Sequence, residues 1–503
     1  MSAAEKLLTQ WAEIEGVATA ARVLSWDQET NMPPSGHASR GHAMSVLAGI
    51  HHDKLTDPAL ADAIDAADVE AKSTDDPLLA DQVRSARADV TRATAIPGDL
   101  ARRVAEVQSS ALACWQQAKA ADDFDAFAPM LATVVELTRE TADALVAAGI
   151  ADRRYDALLD EYEPGANEAQ LVDLFDDLRS HIAPVVAAIA DSGVVVDESP
   201  VRGAFPEDAQ HAFGSFVAGT LGYDFDAGRL DTAAHPFTAG FDPGDVRITW
   251  RSDRDDLRPG LFCIMHETGH ALYEQGLPAE LARTPVGSAV SLGVHESQSR
   301  LWENRVGRSR PFWVWALPHL REHLPGTDGV TVEQIVRALN TVSPSLTRVE
   351  ADQGTYDLHI AARFEIERHL IAGDIDVDEL PGIWSDTYDD LLGIRPSAMY
   401  DGVLQDVHWA AGAFGYFPTY TIGNLVASQL FDAASDALDD LPGSIDVGDF
   451  APLLGWLREN VHRHGRRQSA DDLVTRATGR PLSSDAFVTH IRRTTADTYG
   501  ITV

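Results

Sequence analysis

Two histidines four residues apart, with a glutamate beside the first, are the side chains best suited to chemistry in this chain. His266, Glu267 and His270 lie in the stretch LFCIMHETGHALYEQG, residues 261–276. Leu261, Met265 and Leu272 give the stretch an apolar side, and Gly276 closes it, so the spacing predicts a helix. Residues four apart on a helix stand one turn above each other, so the two imidazoles project from one face toward one point. Zinc accepts neutral imidazole nitrogens in a tetrahedral site, and a catalytic site keeps one position for water. Glu267, next to the first ligand, is placed to reach that water rather than the metal. This is the His-Glu-x-x-His pattern of zinc peptidases. The competing reading is a helix whose histidines only pack or face solvent.

A third ligand is needed, and Glu296 is one candidate. It lies in GVHESQSRLWEN, residues 293–304, long enough to form the next antiparallel helix and return a carboxylate to the metal. Glu303 competes from two turns further on, on nearly the same face. His295 competes too, although on a helix it points about 100° away from Glu296. Glu274 is weaker, because it shares the helix of His270 and points past the metal. Spacing does not rank these groups. Arg300 stands four residues after Glu296, where some zinc peptidases carry an aspartate that orients a ligand, so the orienting partner must come from elsewhere.

The elements that must position these groups are mostly helices. Leu100, Val104, Val107, Ala111 and Trp115 recur at helical spacing after Pro97, a favourable helix-opening residue. Phe127, Met130, Leu131, Val134 and Leu145 mark another amphipathic helix that closes near Gly149. Both stripes are read as core. Residues Asp245–Arg251 (DVRITWR) alternate polar and apolar after a Pro-Gly turn at 243–244 and predict a short strand. The stretch 186–203 reads as a connector. With no repeat, low-complexity tract or clear boundary, the expectation is one domain over 1–503, a mainly α body with a small β-sheet near the zinc helix.

Composition narrows the partners. The 503 residues carry 78 acids against 40 bases, a formal net charge of -38. Such a surface repels nucleic acid. Lys6, Lys54, Lys72 and Lys119 are the only lysines, and every other base is arginine. The acid is spread along the chain rather than gathered in a tail, which suggests a protein suited to a salt-rich, halophilic cytoplasm. No apolar run reaches the roughly 20 residues of a membrane helix. The N-terminal stretch MSAAEKLLTQWAEIEG lacks a basic start and an apolar block; Leu7, Leu8, Trp11 and Ile14 share a helical face instead. A cytoplasmic protein is expected. Cys114 and Cys263 form no disulfide framework or zinc knuckle and are expected as buried thiols.

Further motifs extend the pattern along most of the chain. Trp26-Asp-Gln-Glu-Thr-Asn-Met-Pro33, Tyr155-Asp-Ala-Leu-Leu-Asp160 and Tyr162-Glu-Pro-Gly165 come first. Six ordered motifs follow: His235-Pro-Phe237, Asp245-Val-Arg-Ile-Thr249, His266-Glu-Thr-Gly-His270, His295-Glu-Ser-Gln298, Arg348-Val-Glu-Ala-Asp352 and Gly402-Val-Leu-Gln-Asp-Val-His-Trp409. Gly415-Tyr-Phe-Pro-Thr-Tyr420 and Gly423-Asn424 complete the set. With these motifs the chain resembles the carboxypeptidase Taq family of thermostable metallocarboxypeptidases. Thr347 departs from the Ile or Val usual before the arginine, which weakens that motif slightly and puts no catalytic group in doubt. The resemblance implies a large helical, zincin-like peptidase body with a deep active-site groove, usually a homodimer. It implies release of C-terminal residues from peptide substrates with broad specificity, using one zinc per chain, with cobalt or manganese as alternatives. It selects Glu296 over Glu303 as the third ligand.

Within these motifs, roles follow from chemistry. Glu267 is the expected general base. His408 and Tyr420 are the expected donors to the developing oxyanion, against their reading as a core histidine and a buried tyrosine. A carboxypeptidase must also hold a free carboxylate, which suits the planar fork of arginine. Arg348 is favoured for this, then Arg247, each against a structural ion pair: Arg348 with nearby Glu350 or Asp352, Arg247 with Asp245. His235 is expected to bond the substrate backbone, although Pro236 makes a structural turn nearly as good a reading. The rivals are an endo-acting zinc oligopeptidase, which needs no carboxylate clamp, and a non-enzymatic binding protein on the same fold.

Overall fold

A computed structural model describes residues 1–503, the side chain of Pro325 apart. The chain is mainly helical with a single three-stranded sheet among the described residues. Packing divides it into two compact units, each assembled from three separate stretches: 1–93, 197–339 and 426–482 in the first, and 94–196, 340–425 and 483–503 in the second. One divide falls at 196/197, inside the stretch read as a connector.

In the first unit the N-terminal helix, Ala3–Thr30, begins at a capping box in which Ser2 and Glu5 satisfy each other's backbone N–H groups. Its Leu7, Trp11 and Ile14 enter a core with Leu60, Ala63, Ile64 and Ala67. The sheet consists of β1 (Gly228–Thr232), β2 (Thr238–Asp242) and β3 (Asp245–Trp250), in the order β1-β3-β2. The alternation read in the sequence holds over Asp245–Ile248, with Val246 and Ile248 buried; beyond it Thr249 and Trp250 are both buried. β2 joins β3 through the Pro243-Gly244 turn and pairs antiparallel, whereas β1 pairs parallel with β3. Helix Leu257–Glu274 packs on β2 and β3. It is capped by Asp256, whose carboxylate accepts from the Arg258 N–H.

Helix Leu292–Arg300 packs against helix Leu257–Glu274. Gly269 permits the approach, because a Cβ there would lie 2.5 Å from the Gln298 carbonyl oxygen and 2.6 Å from Ser299 Cα. The chain then continues as a π-helical segment, Leu301–Val306. Such turns are rare and occur often at functional sites.

In the second unit, helices Gly98–Ala121 and Phe124–Ala147 form a packed hairpin at the positions expected from periodicity. Gly149 takes a positive φ of 78° just past the second helix. Helix Tyr356–Ala372 carries an unusual load of buried polar groups: Asp357, His359, Arg363 and Glu367. Cys114 and Cys263 are free, and each is only half-buried rather than the buried thiol expected. Among the described residues no helix is long and apolar enough to cross a membrane.

Candidate active site

The half-buried histidine pair supplies the centre of the site. The Nε2 atoms of His266 and His270 lie 3.6 and 3.3 Å from the same oxygen, Glu296 Oε2. Ligands at about 2.0–2.1 Å around a tetrahedral ion are roughly 3.3 Å apart; both imidazole-to-carboxylate separations are close to this, and all three ligand atoms lie within 4.8 Å of one another. Each imidazole turns its other nitrogen to a fixed partner. His266 Nδ1 is 2.9 Å from Glu303 Oε2. His270 Nδ1 is 3.1 Å from the His295 carbonyl and 2.6 Å from His295 Nδ1, and His295 Nε2 reaches Glu274 Oε1 at 2.8 Å. Such contacts fix the ring orientation and turn each Nε2 toward Glu296, where it could ligate a metal.

Among the described residues His266, His270 and Glu296 are the one group arranged to hold a metal. Arg300 explains the posture of the carboxylate: its Nε donates to Glu296 Oε1 at 2.7 Å, leaving Oε2 toward the imidazoles. Burial would raise the pKa of Glu296, but Arg300 and then the two histidines outweigh it and hold the carboxyl well below its usual range. Glu303, the competing ligand, faces His266 Nδ1 instead. Arg300, His266 and Arg308 overcome its burial and hold it at about 2. The orienting groups that local spacing did not supply are thus Glu303, His295 and Glu274.

Glu267 is buried at 5% exposure beside this group. Its Oε2 accepts a 2.6 Å hydrogen bond from Thr238 Oγ1 on β2. Burial pushes its pKa up, against the opposing pull of His266 and Thr238. A raised carboxyl suits proton transfer near neutrality. On β3, Arg247 gives Nε and NH2 to the two oxygens of Asp245, each at 2.8 Å. Its guanidinium lies 4.2 Å from the ring centre of Trp26. His235 is exposed in the loop between β1 and β2.

In the second unit, Arg348, His408 and Tyr420 gather around Asp406 and Phe417. Arg348 NH2 is 2.8 Å from Asp406 Oδ1, and its NH1 is 3.1 Å from Tyr356 OH. Fully buried Arg363 donates from Nε to the other oxygen of Asp406 at 2.7 Å. Asp406, not Glu350 or Asp352, is therefore the ion-pair partner of Arg348. Asp352 instead accepts from Thr355 and from the backbone of Ser343 and Gly354. Despite its burial, Asp406 is held far below the usual carboxylate range by Arg363 and Arg348. The His408 ring centre is 4.5 Å from that of Phe417 and 6.5 Å from that of Tyr420. Burial lowers His408 to about 4, so it is a neutral imidazole at neutral pH and can donate only as one tautomer.

Comparison with known proteins decides the family. Residues 6–495 match the model of the carboxypeptidase Taq (M32) metallopeptidase family. The chain belongs to this family. Thermostable carboxypeptidase 1 of Thermus thermophilus is 42% identical across 99% of both chains, and carboxypeptidase 1 of Bacillus subtilis is 35% identical across 97% of this chain and 96% of its own. The crystal structure of the M32 carboxypeptidase from Deinococcus radiodurans superposes with a TM-score of 0.95 at 38% identity, covering 99% of each chain. As an M32 member the protein is a metal-dependent peptide hydrolase.

Sequence reasoning missed Thr238 and Asp406. Thr238 directly follows His235-Pro-Phe237, and only the β2 pairing brings it to Glu267. Asp406 sits inside a quoted motif. The signal that could have found it is that a buried arginine needs a carboxylate.

Proposed function

We propose that the protein is a zinc carboxypeptidase that releases single residues from the C-termini of peptides with broad specificity, with His266, His270 and Glu296 as metal ligands. The observation that carries this reading is the convergence of His266 Nε2, His270 Nε2 and Glu296 Oε2, all within 4.8 Å of one another, beside a buried glutamate. A bound divalent ion would supply Lewis-acid polarisation of water and of the scissile carbonyl. Glu267 takes the proton of the attacking water and returns it to the leaving amine. Thr238 holds the Glu267 carboxylate in place for both transfers. His408, as a neutral N–H donor, and Tyr420, through its phenol, stabilise the oxyanion. His235 bonds the substrate backbone.

For the terminal carboxylate we favour Arg247 over Arg348. Asp245 occupies only one edge of the Arg247 guanidinium, and the side chain is 21% exposed. Nε, NH1 and NH2 of Arg348 are all engaged and its side chain is 7% exposed. Arg348 then serves to hold Asp406 and the first turn of helix Pro418–Ala437, which carries Tyr420. The same reading has the enzyme acting in the cytoplasm as a homodimer, for which light scattering should return twice the mass of one chain.

One peptide prepared as free acid, C-terminal amide and N-acetyl derivative tests the direction of attack. The amide keeps one accepting oxygen but loses the charge and the second acceptor, and a hydrogen bond to a charged group is worth up to about 3 kcal/mol. That corresponds to about a hundredfold slower cleavage, at roughly 1.4 kcal/mol per tenfold. Arg247→Ala should cripple release from the free acid and erase most of that preference, and acetylation should change little. Mass spectrometry should find stepwise C-terminal loss that a chelator stops. Internal cleavage of the amide at an undiminished rate would establish an endopeptidase instead.

A further inference from the structure

Of the polar groups that helix Tyr356–Ala372 buries, three hold the segment 406–424, which carries His408. Arg363 donates to Asp406 at 2.7 Å. Glu367 accepts from Trp409 Nε1 at 2.8 Å on Oε1 and from the Gly415 N–H at 3.0 Å on Oε2. Asp357 accepts from Thr421 Oγ1 at 2.8 Å and from Asn424 Nδ2 at 2.9 Å. The helix thus acts as a rail, with the segment fastened to it at both ends and in the middle.

Glu367 is the middle fastening, and its contacts fall on either side of His408's own loop. Trp409 follows His408 directly. Gly415 precedes Tyr416, whose ring centre is 5.3 Å from that of His408. The loop between them folds back onto His408, whose carbonyl accepts from the Ala413 N–H at 2.9 Å. One carboxylate therefore closes the loop 409–415 at its two ends and fixes the backbone from which the imidazole projects.

Stability alone gives little reason for this carboxylate. It is fully buried, and its three hydrogen-bond donors, Tyr155 OH included, are neutral. Arg363 attracts it from one turn away but pairs with Asp406 instead. Burying an acidic group without an ion-pair partner costs free energy that apolar packing at the same place would not. What the carboxylate adds is direction. Apolar contact is non-directional, whereas hydrogen bonds set both distance and angle. A donor to a developing oxyanion needs that control, because it must lie within about 0.5 Å of its productive position.

We infer that Glu367 is a positioning residue for the reaction: by holding Trp409 and Gly415 it sets the His408 imidazole where the oxyanion forms. This rests on the reading of His408 as an oxyanion donor.

The test is a double-mutant cycle on the metal-loaded enzyme, read as kcat and KM for one peptide. Glu367→Asp keeps the acid but shortens the side chain by one methylene, so it cannot hold both loop ends as before. It should lower kcat about tenfold with KM little changed, the pattern of an interaction made only in the transition state. His408→Ala should lower kcat about a hundredfold. Adding Glu367→Asp to His408→Ala should cost no more than about twofold further, because the placement of a donor is immaterial once the donor is gone. Tyr155→Phe removes a bond from the same carboxylate but none from the loop, so it should lower the melting temperature and leave kcat within about twofold. Should circular dichroism show that Glu367→Asp does not fold, Trp409→Phe, which deletes the donor to Oε1, takes its place in the cycle with the same expected pattern. A wild-type kcat in the variant, a tenfold loss that persists in His408→Ala, or an equal loss in Tyr155→Phe would leave Glu367 a structural residue only and overturn the inference. If His408→Ala itself keeps the wild-type kcat, the oxyanion reading of His408 fails and the inference falls with it.

Discussion

Glu267 and its neighbours divide labour through their positions: His266 and His270 turn Nε2 toward Glu296, while Glu267 is bonded by Thr238. Glu267→Gln keeps the shape and the Thr238 contact but cannot take a proton. It should therefore abolish turnover while retaining about one metal per chain, as expected when base and ligands are separate groups. His270→Ala should lose both metal and turnover. Metal analysis and activity on the same samples check this, and loss of metal from Glu267→Gln as complete as from His270→Ala would refute the role given to Glu267. At this scale the sequence is informative where chemistry depends on local spacing. His266, Glu267 and His270 need only one helix to converge. It is uninformative where the partner arrives from elsewhere in the fold. Proximity points Arg348 to Glu350 and Asp352, yet the group it binds is Asp406, 58 positions away. Thr238 reaches Glu267 across 29 positions through strand pairing that no local pattern encodes.

Elements decide which of two similar carboxylates faces the two imidazoles. Glu303 follows Glu296 by seven residues and would share its face on a regular helix, drifting only about 20°. The π segment Leu301–Val306 interrupts that regularity, and Glu303 meets the outer nitrogen of His266 instead. This is why the sequence leaves the two open. Glu296→Ala should weaken metal binding steeply. Glu303→Ala should still fill to one metal per chain at saturation, with affinity reduced about 10–100-fold, the usual cost of losing a partner that orients a ligand. The reverse order in a metal titration would exchange their roles. A second buried carboxylate shows how an element's packing sets its titration. Glu367 is fully buried on helix Tyr356–Ala372 and accepts from Tyr155 OH, Trp409 Nε1 and the Gly415 N–H at 3.0, 2.8 and 3.0 Å. Burial nonetheless pushes its pKa up to about 7. The folded state therefore binds a proton more readily than the unfolded chain, and the stability tied to that proton is present below the ordinary glutamate range and lost as pH rises through 7. Glu367→Gln misdirects an amide at these donors and should be destabilising at pH 5. It lacks the titration, so its deficit in melting temperature against wild type should shrink between pH 5 and pH 8. A deficit constant over that range would show that Glu367 does not titrate there.

At the scale of the whole molecule, the helical character, the strand and the hairpin helices of the second unit follow from periodicity, because each pattern is written within about 25 residues. The two packing units are not legible, because each is built from three stretches and no linker marks the divides. Net charge, by contrast, is a property of the chain that needs no fold, and it carries a prediction of its own. Arginines throughout are paired with carboxylates, as in Arg40–Asp27, Arg154–Asp143 and Arg466–Asp89, but 40 bases cannot neutralise 78 acids. The excess repels itself in the compact state, and only mobile ions relieve it. The screening length is about 10 Å at 0.1 M salt and about 3 Å at 1 M. Spacings of several ångströms between neighbouring surface carboxylates are thus weakly screened in the first condition and strongly in the second. Melting followed by circular dichroism should rise steeply from low to molar sodium chloride, and at the lowest salt the fold should be marginal or absent. Sucrose at matched osmolality strengthens burial without screening charge, so it should recover much less of the melting temperature than the salt does. A melting temperature that is flat across the salt series, or that sucrose restores equally well, would remove charge repulsion as the limit on stability and with it the case for a salt-adapted protein.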